Sequence, residues 1–172
     1  MRAKVRERVE AAAFAVLAAR GYHGATMLAV AQAAGASNAT LYRGYGDKAG
    51  LFAALAARLA EELAAAVEGP LEPALVQVLR LLVSERAVAV QRAAAADASG
   101  RLGVVLEASG WAVAMARLRA RAGGQGELLL RLVLGDWPLR RVMGMAEPSG
   151  AEVERRVAEA LDLWLLTRQV AG

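Results

Sequence analysis

There is no cysteine in the chain, a single histidine and only four prolines. Without cysteine, disulfides, thiolate metal sites and thiol nucleophiles are all excluded, and a reducing cytoplasm is compatible with the composition. The one histidine, His23, has no acid or serine constellation around it and reads as a surface residue. No cluster of metal-ligand type, no phosphate-cradling glycine loop and no paired carboxylates in a catalytic setting is visible. The expectation is therefore no catalytic residue, no metal and no cofactor. Long apolar runs are missing as well, since no uncharged stretch approaches the ~18 strongly apolar residues of a membrane span. The opening MRAKVRERVEAAAFAVLAARG superficially resembles a secretory leader. Glu7 and Glu10 interrupt its basic part, however, and its apolar part is mostly weakly hydrophobic alanine. A cytoplasmic location is expected, with no membrane partner.

What is present is alanine and leucine. The chain is 57% hydrophobic but only 5% aromatic, a helix-prone composition that predicts an all-α fold. Its 172 residues can hold one sizeable core or two small ones. Charge is unevenly spread. Residues 1–52 carry seven Lys/Arg against three Asp/Glu, whereas residues 53–172 carry fourteen of each, so the net +4 lies wholly in the first segment. A basic end of this kind is the electrostatic footprint of a phosphate-binding surface.

Within that end, Thr26 to Lys48 reads TMLAVAQAAGASNATLYRGYGDK. Met27–Ala33 is a short amphipathic helix with Val30 and Ala31 on its inner side. Ala34-Gly35-Ala36 forms a tight turn, where Gly35 can take a positive φ without a Cβ clash. Ser37 then caps a second short helix over roughly 38–43. Two brief helices joined by a glycine turn describe a helix-turn-helix. The second helix points Leu41 inward and exposes Asn38, Thr40 and Arg43 with Tyr42 nearby, side chains of the size that reach base edges and phosphates. Tyr42 can equally pack its ring against the first helix.

The flanks extend this pattern. Residues 1–8, with Arg2, Lys4, Arg6 and Arg8, form a basic arm that either touches DNA or is a frayed solvated end. A helix follows, with Val5, Val9, Ala12, Ala13, Val16 and Leu17 at helical spacing, and Arg20-Gly21 ends it. Thr26 caps the helix before the turn, its hydroxyl facing a phosphate if the motif docks in the usual way. Asp47 is expected to cap a long helix beginning at Lys48. A cation at the positive end of a helix is disfavoured, so Lys48 is better explained by an anionic partner such as a DNA phosphate; the alternative is a solvated lysine paired with Asp47.

With these residues in view, segment 9–52 resembles the N-terminal domain of the TetR (tetracycline-repressor-like) family of bacterial regulators. The match is carried by Val9, Ala12-Ala13, Val16-Leu17, Gly21-Tyr22, Thr26, Val30-Ala31, Ala34-Gly35, Ser37, Thr40-Leu41-Tyr42, Tyr45, Lys48 and Leu51-Phe52. The resemblance implies phosphate or base contacts for Thr26, Ser37, Thr40, Tyr42 and Lys48. Three departures stand out: Gly44 where a histidine or other side chain is frequent, Ala49 for an acidic residue, and Asn38-Ala39 for a pair often containing glycine or proline. They bear on which operator is read rather than on binding.

The expected architecture is an N-terminal three-helix helix-turn-helix domain over residues 1–52 and a C-terminal helical effector-binding and dimerisation domain over 53–172. Leu51, Leu55, Leu59 and Leu63 form one stripe of a linking helix to about Val67. Further helices are expected near 71–84, 86–97, 101–122, 124–135 and 150–170, with the alanine-rich 86–98 least anchored and Pro138 breaking or kinking the chain. Helices around Leu128, Leu132, Val157, Leu161, Trp164 and Leu165 are apolar on nearly every side. Either a twofold partner covers them, giving a homodimer, or they lie deep inside a monomer. Trp111, Met115, Trp137, Met143 and Met145 are adaptable apolar groups that line a small-molecule pocket or simply pack the core. Gly110 marks a thin helix face beside a cavity, and Glu107 and Arg117 orient a polar ligand group or face solvent.

The resulting expectation is a ligand-responsive transcriptional regulator, a repressor on a near-palindromic double-stranded DNA operator, released by an unidentified small molecule. The alternatives are a small helical ligand- or lipid-binding protein or enzyme, and a DNA-binding architectural protein with no ligand.

Overall fold

In the computed structural model, which describes residues 1–170, the first helix α1 (Ala3–Gly24) is built on a stripe of apolar side chains. Val9, Ala13, Phe14, Val16 and Leu17 are buried along it, the spacing that turns one helical face to a core. Regular geometry stops at Arg20, because Gly21 sits at φ 64°, ψ 179°. The expected separate arm is instead the start of this helix, so Lys4, Arg6 and Arg8 ride on its first turns.

Next come α2 (Met27–Ala33) and α3 (Asn38–Tyr45), the latter extending two residues past the expected end. The turn between them closes through two backbone bonds, Gly35 N to Gln32 O (3.2 Å) and Ala36 N to Ala31 O (2.9 Å). This is the paired pattern of a helix ended by a left-handed residue, and Gly35 at φ 57° supplies that residue. Then α4 (Lys48–Ala66) begins where Asp47 Oδ1 accepts from the Gly50 N–H at 2.7 Å. Leu51, Leu55, Leu59 and Leu63 are all buried.

By its contacts the chain divides into two compact units. The first comprises Met1–Leu59 with Glu85–Ser109, and the second Ala60–Ser84 with the chain from Gly110 onward. In the first unit, α6 (Glu85–Ala95) packs on α1 and is followed by α7 (Arg101–Leu106). The alanine-rich segment expected to be weakly anchored therefore buries Ala87, Val88, Ala89, Val90 and Ala93. Its small side chains allow close helix approach in place of large apolar area.

The second unit has α5 (Leu71–Val83), α8 (Ala112–Arg121), α9 (Gly126–Leu134), α10 (Trp137–Val142) and α11 (Gly150–Val170). There α11 lies against α5 and α9, around a core that includes Leu75, Leu79, Leu118, Leu129, Val133 and Val157. Two expectations are corrected. The helix expected over 101–122 is interrupted by a wide π turn, Glu107–Trp111, in which Gly110 adopts φ 104°. This backbone need explains the glycine, and a Cβ there would meet Ala60 Cβ at an ordinary 3.9 Å rather than open space. Pro138 does not break the chain but occupies the first turn of α10, where its missing N–H would have no partner anyway. Arg141 holds the following segment, donating to Val83 O at 2.9 Å and to Met145 O. Among the described residues no helix is long and apolar enough to cross a membrane.

Candidate nucleic-acid interface

Leu41, 0% exposed, fastens α3 to the first unit, while Tyr42 beside it is 50% exposed. That contrast fixes the orientation of the helix. Asn38 with Tyr42, and Ala39 with Arg43, are two adjacent i,i+4 pairs, and all four residues are exposed. Amide, phenol and guanidinium thus share one outward strip.

The hydroxyls at the helix starts are partly engaged. Thr26 Oγ1 accepts from Ala29 N at 3.1 Å, and Ser37 Oγ accepts from Thr40 N at 3.1 Å. Ser37 Oγ and Thr40 Oγ1 lie 2.8 Å apart and share one hydrogen. Two hydroxyls bring two hydrogens, so one remains for an outside acceptor. Ser37 is exposed and Thr40 half-buried.

Lys48 is held inside its own unit. Its Nζ donates to His23 O at 3.3 Å and stands 4.1 Å from the centroid of the Tyr22 ring. Burial pulls its ammonium below the usual lysine value. Asp47 serves as the cap of α4, and the lysine is satisfied by a carbonyl and a π face instead. An ammonium has three N–H donors, and the His23 carbonyl takes one. Tyr22 is steadied in turn by edge-on contact with Phe52 at 5.7 Å. Sequence reasoning missed its role, because the ring and the ammonium are far apart along the chain.

The end of α3 is tied down by Tyr45, whose hydroxyl donates to Glu10 Oε1 at 3.4 Å. Burial first, and then the Glu10 carboxylate, push this phenol up to about 12. Arg8 Nη2 donates to Gly35 O at 3.3 Å, tying α1 to the turn.

In the second unit the five residues expected to line a ligand pocket do not share one cavity. Trp111, Met115 and Trp137 are partly buried against the core, whereas Met143 is exposed. Met115 lines a cleft of about 340 Å³ with Arg119, Glu127 and Arg131. Trp137 lines another, of about 430 Å³, with Arg140, Met145 and Glu152. Glu107 is exposed, and Arg117 lies 3.7 Å from Glu68 at the surface.

The residues expected to meet a partner chain also separate. Val157 and Trp164 are 0% and 5% exposed, members of the chain's own core. Leu128 and Leu165 are exposed, Leu132 and Leu161 half-buried. The exposed Leu163 and Leu166 of α11 were not among the expected residues.

A capped helix ending in a left-handed glycine, followed by a capped helix with one anchored and one open face, defines a helix-turn-helix DNA-binding protein. Residues 11–55 match the family described as bacterial regulatory proteins, tetR family. The helix-turn-helix segment is thus of the type this family carries. No curated protein matches the chain by sequence. In fold it is similar to the flavonoid-responsive regulator FrrA, with 24% identity, a TM-score of 0.67 and coverage of 96% of this chain and 97% of that one. It is likewise similar to a TetR transcriptional regulator from Agrobacterium tumefaciens, with 24% identity, a TM-score of 0.63 and 92% and 93% coverage. The fatty acid degradation regulator FadR from Bacillus halodurans is similar at 14% identity, a TM-score of 0.67 and 96% coverage of both chains.

Proposed function

We propose that this chain is a bacterial, cytoplasmic, homodimeric repressor that leaves a near-palindromic operator when a small molecule binds. The observation that carries the reading is the outward strip of α3, set by buried Leu41 against exposed Asn38, Tyr42 and Arg43. Asn38 and Arg43 meet base edges, with Thr40 and Tyr42 beside them, while Thr26, Ser37 and Lys48 meet phosphates. Exposed Leu128 and Leu165, with half-buried Leu132 and Leu161, supply the surface for a second copy.

The mechanism is geometric. Two recognition helices must stand about 34–36 Å apart to enter successive major grooves. An effector preferring a different spacing need supply only roughly 1–3 kcal/mol of coupling to change affinity about 5–150-fold. The clefts beside Trp137 and Met115 are its candidate seats. The names of the fold relatives supply the first two effector classes to try, a flavonoid and a fatty acid.

Selection of bound sequences from random duplexes by the purified chain, repeated with each compound, tests the proposal. An inverted repeat with half-sites about one helical turn apart, released by one compound, is expected. Enrichment of an unsymmetrical site contradicts the dimer, and binding indifferent to every compound contradicts the effector.

A further inference from the structure

We propose that the N-terminal segment, residues 1–8, is a seated extension of the DNA-reading surface that adds phosphate contacts through Arg2 and Lys4. The seat is Gly44, next to last in α3. A Cβ built there would lie 3.0 Å from Met1 Cε, 3.5 Å from Met1 Sδ and 3.9 Å from Met1 Cβ. The Met1 side chain thus occupies the space that a side chain at position 44 would fill. Two further ties run alongside: Arg8 to Gly35 O, and Tyr45 to Glu10. Arg6 is near enough to act on the Tyr45 phenol. The first turns of α1 are therefore fastened to the turn before α3 and to the end of α3 instead of fraying away from them.

Charge selects the partner. Residues 1–8 hold Arg2, Lys4, Arg6 and Arg8 against Glu7 alone, a net +3 of the +4 carried by residues 1–52. Arg2 and Lys4 are exposed. Cations seated beside a helix that enters the major groove face the flanking phosphates of the same duplex, where they release counterions without reading sequence. The inference rests on α3 being the DNA-reading helix.

Binding of the full chain to a random-sequence duplex, measured against salt, tests it without knowledge of the operator. Arg2→Ala with Lys4→Ala is expected to flatten the slope of log affinity on log salt by about two per protomer. Arg20→Ala removes a like charge at the far end of α1, roughly 27 Å away at 1.5 Å per residue, and should leave the slope unchanged. Gly44→Leu fills the space of the Met1 side chain with a group too large for a small shift of Met1 to clear, while favouring the helix, so affinity should fall with no loss of thermal stability. An unchanged slope in the double variant, or an equal loss in Arg20→Ala, overturns the proposal. Unchanged affinity in Gly44→Leu overturns the seat. Arg43→Ala is the separate arm for α3: if it binds as the parent does, the reading of α3 fails and the extension fails with it.

Discussion

The Lys48 ammonium and the Tyr22 ring form a cation–π pair, 4.1 Å from nitrogen to centroid, at the head of α4. A cation at a helix N-terminus meets the positive end of the dipole. The negative face of Tyr22 and the His23 carbonyl offset that repulsion. If Lys48 also meets a phosphate, as proposed, Lys48→Ala weakens binding to every duplex alike and flattens the salt dependence by about one unit of slope. Tyr22→Phe, which keeps the π face, should behave like the parent, whereas Tyr22→Leu should move part of the way towards Lys48→Ala. A slope in Lys48→Ala equal to that of the parent removes this lysine from the phosphate contacts.

The Ser37 cap carries a second expectation. Its Oγ accepts from the Thr40 N–H at 3.1 Å, sharing that donor with the Ser37 carbonyl at 3.0 Å. Ser37→Ala should cost about 1 kcal/mol of stability, and Ser37→Asp or Ser37→Asn much less. Denaturant midpoints of the three variants decide it. Equal midpoints for alanine and asparagine would show that the cap does not stabilise α3.

The helix-turn-helix was legible because its signals are local. Ser37, Gly35 and Asp47 each act within four residues, Leu41 is marked as the one large apolar side chain of its turn, and each sits where the sequence placed it. What escaped depended on distance or on patterns without contrast. The seat of α6 on α1 is decided by alanines and valines that say nothing about which helix they will meet. The break at Gly110 was hidden because a lone glycine inside a helical pattern is usually tolerated. In α11 the run Leu161 to Leu166 has almost no polar face to reveal its inner side. Trp164 turned inward and Leu165 outward, a distinction that needed α5 and α9 in place.

Alkaline stability should report on Tyr45. Its phenol is raised from 10.0 to about 12 in the folded chain, so the folded state keeps its proton longer than the unfolded one. The resulting stabilisation is fully present below pH 10 and is lost as the pH rises through about 12. Lys48, lowered by burial, shifts stability in the opposite sense over the alkaline range. The comparison must therefore be made between the parent and Tyr45→Phe, which keeps the lysine. Melting temperatures taken across the alkaline range should fall less steeply in Tyr45→Phe. Parallel curves would mean that the phenol ionises freely.

The two faces of α11 should answer differently to substitution. Trp164 is 5% exposed and lies in the core with its Nε1 unpaired, while the Arg168 guanidinium stands 4.9 Å from its ring. Trp164→Ala should cost about 3–5 kcal/mol through lost contacts and the cavity left behind. Trp164→Phe should cost much less, since it also removes a buried donor without an acceptor. Leu165, 49% exposed, has little to lose within one chain. If its face meets a second copy, Leu165→Glu places an unpaired charge in that contact, where desolvation is costly. Sedimentation should then show Leu165→Glu as a folded monomer at concentrations where the parent is a dimer, with its helical signal intact. A Leu165→Glu dimer as tight as the parent would move the interface off this face of α11 and leave Leu128 on α9 to be tested in the same way.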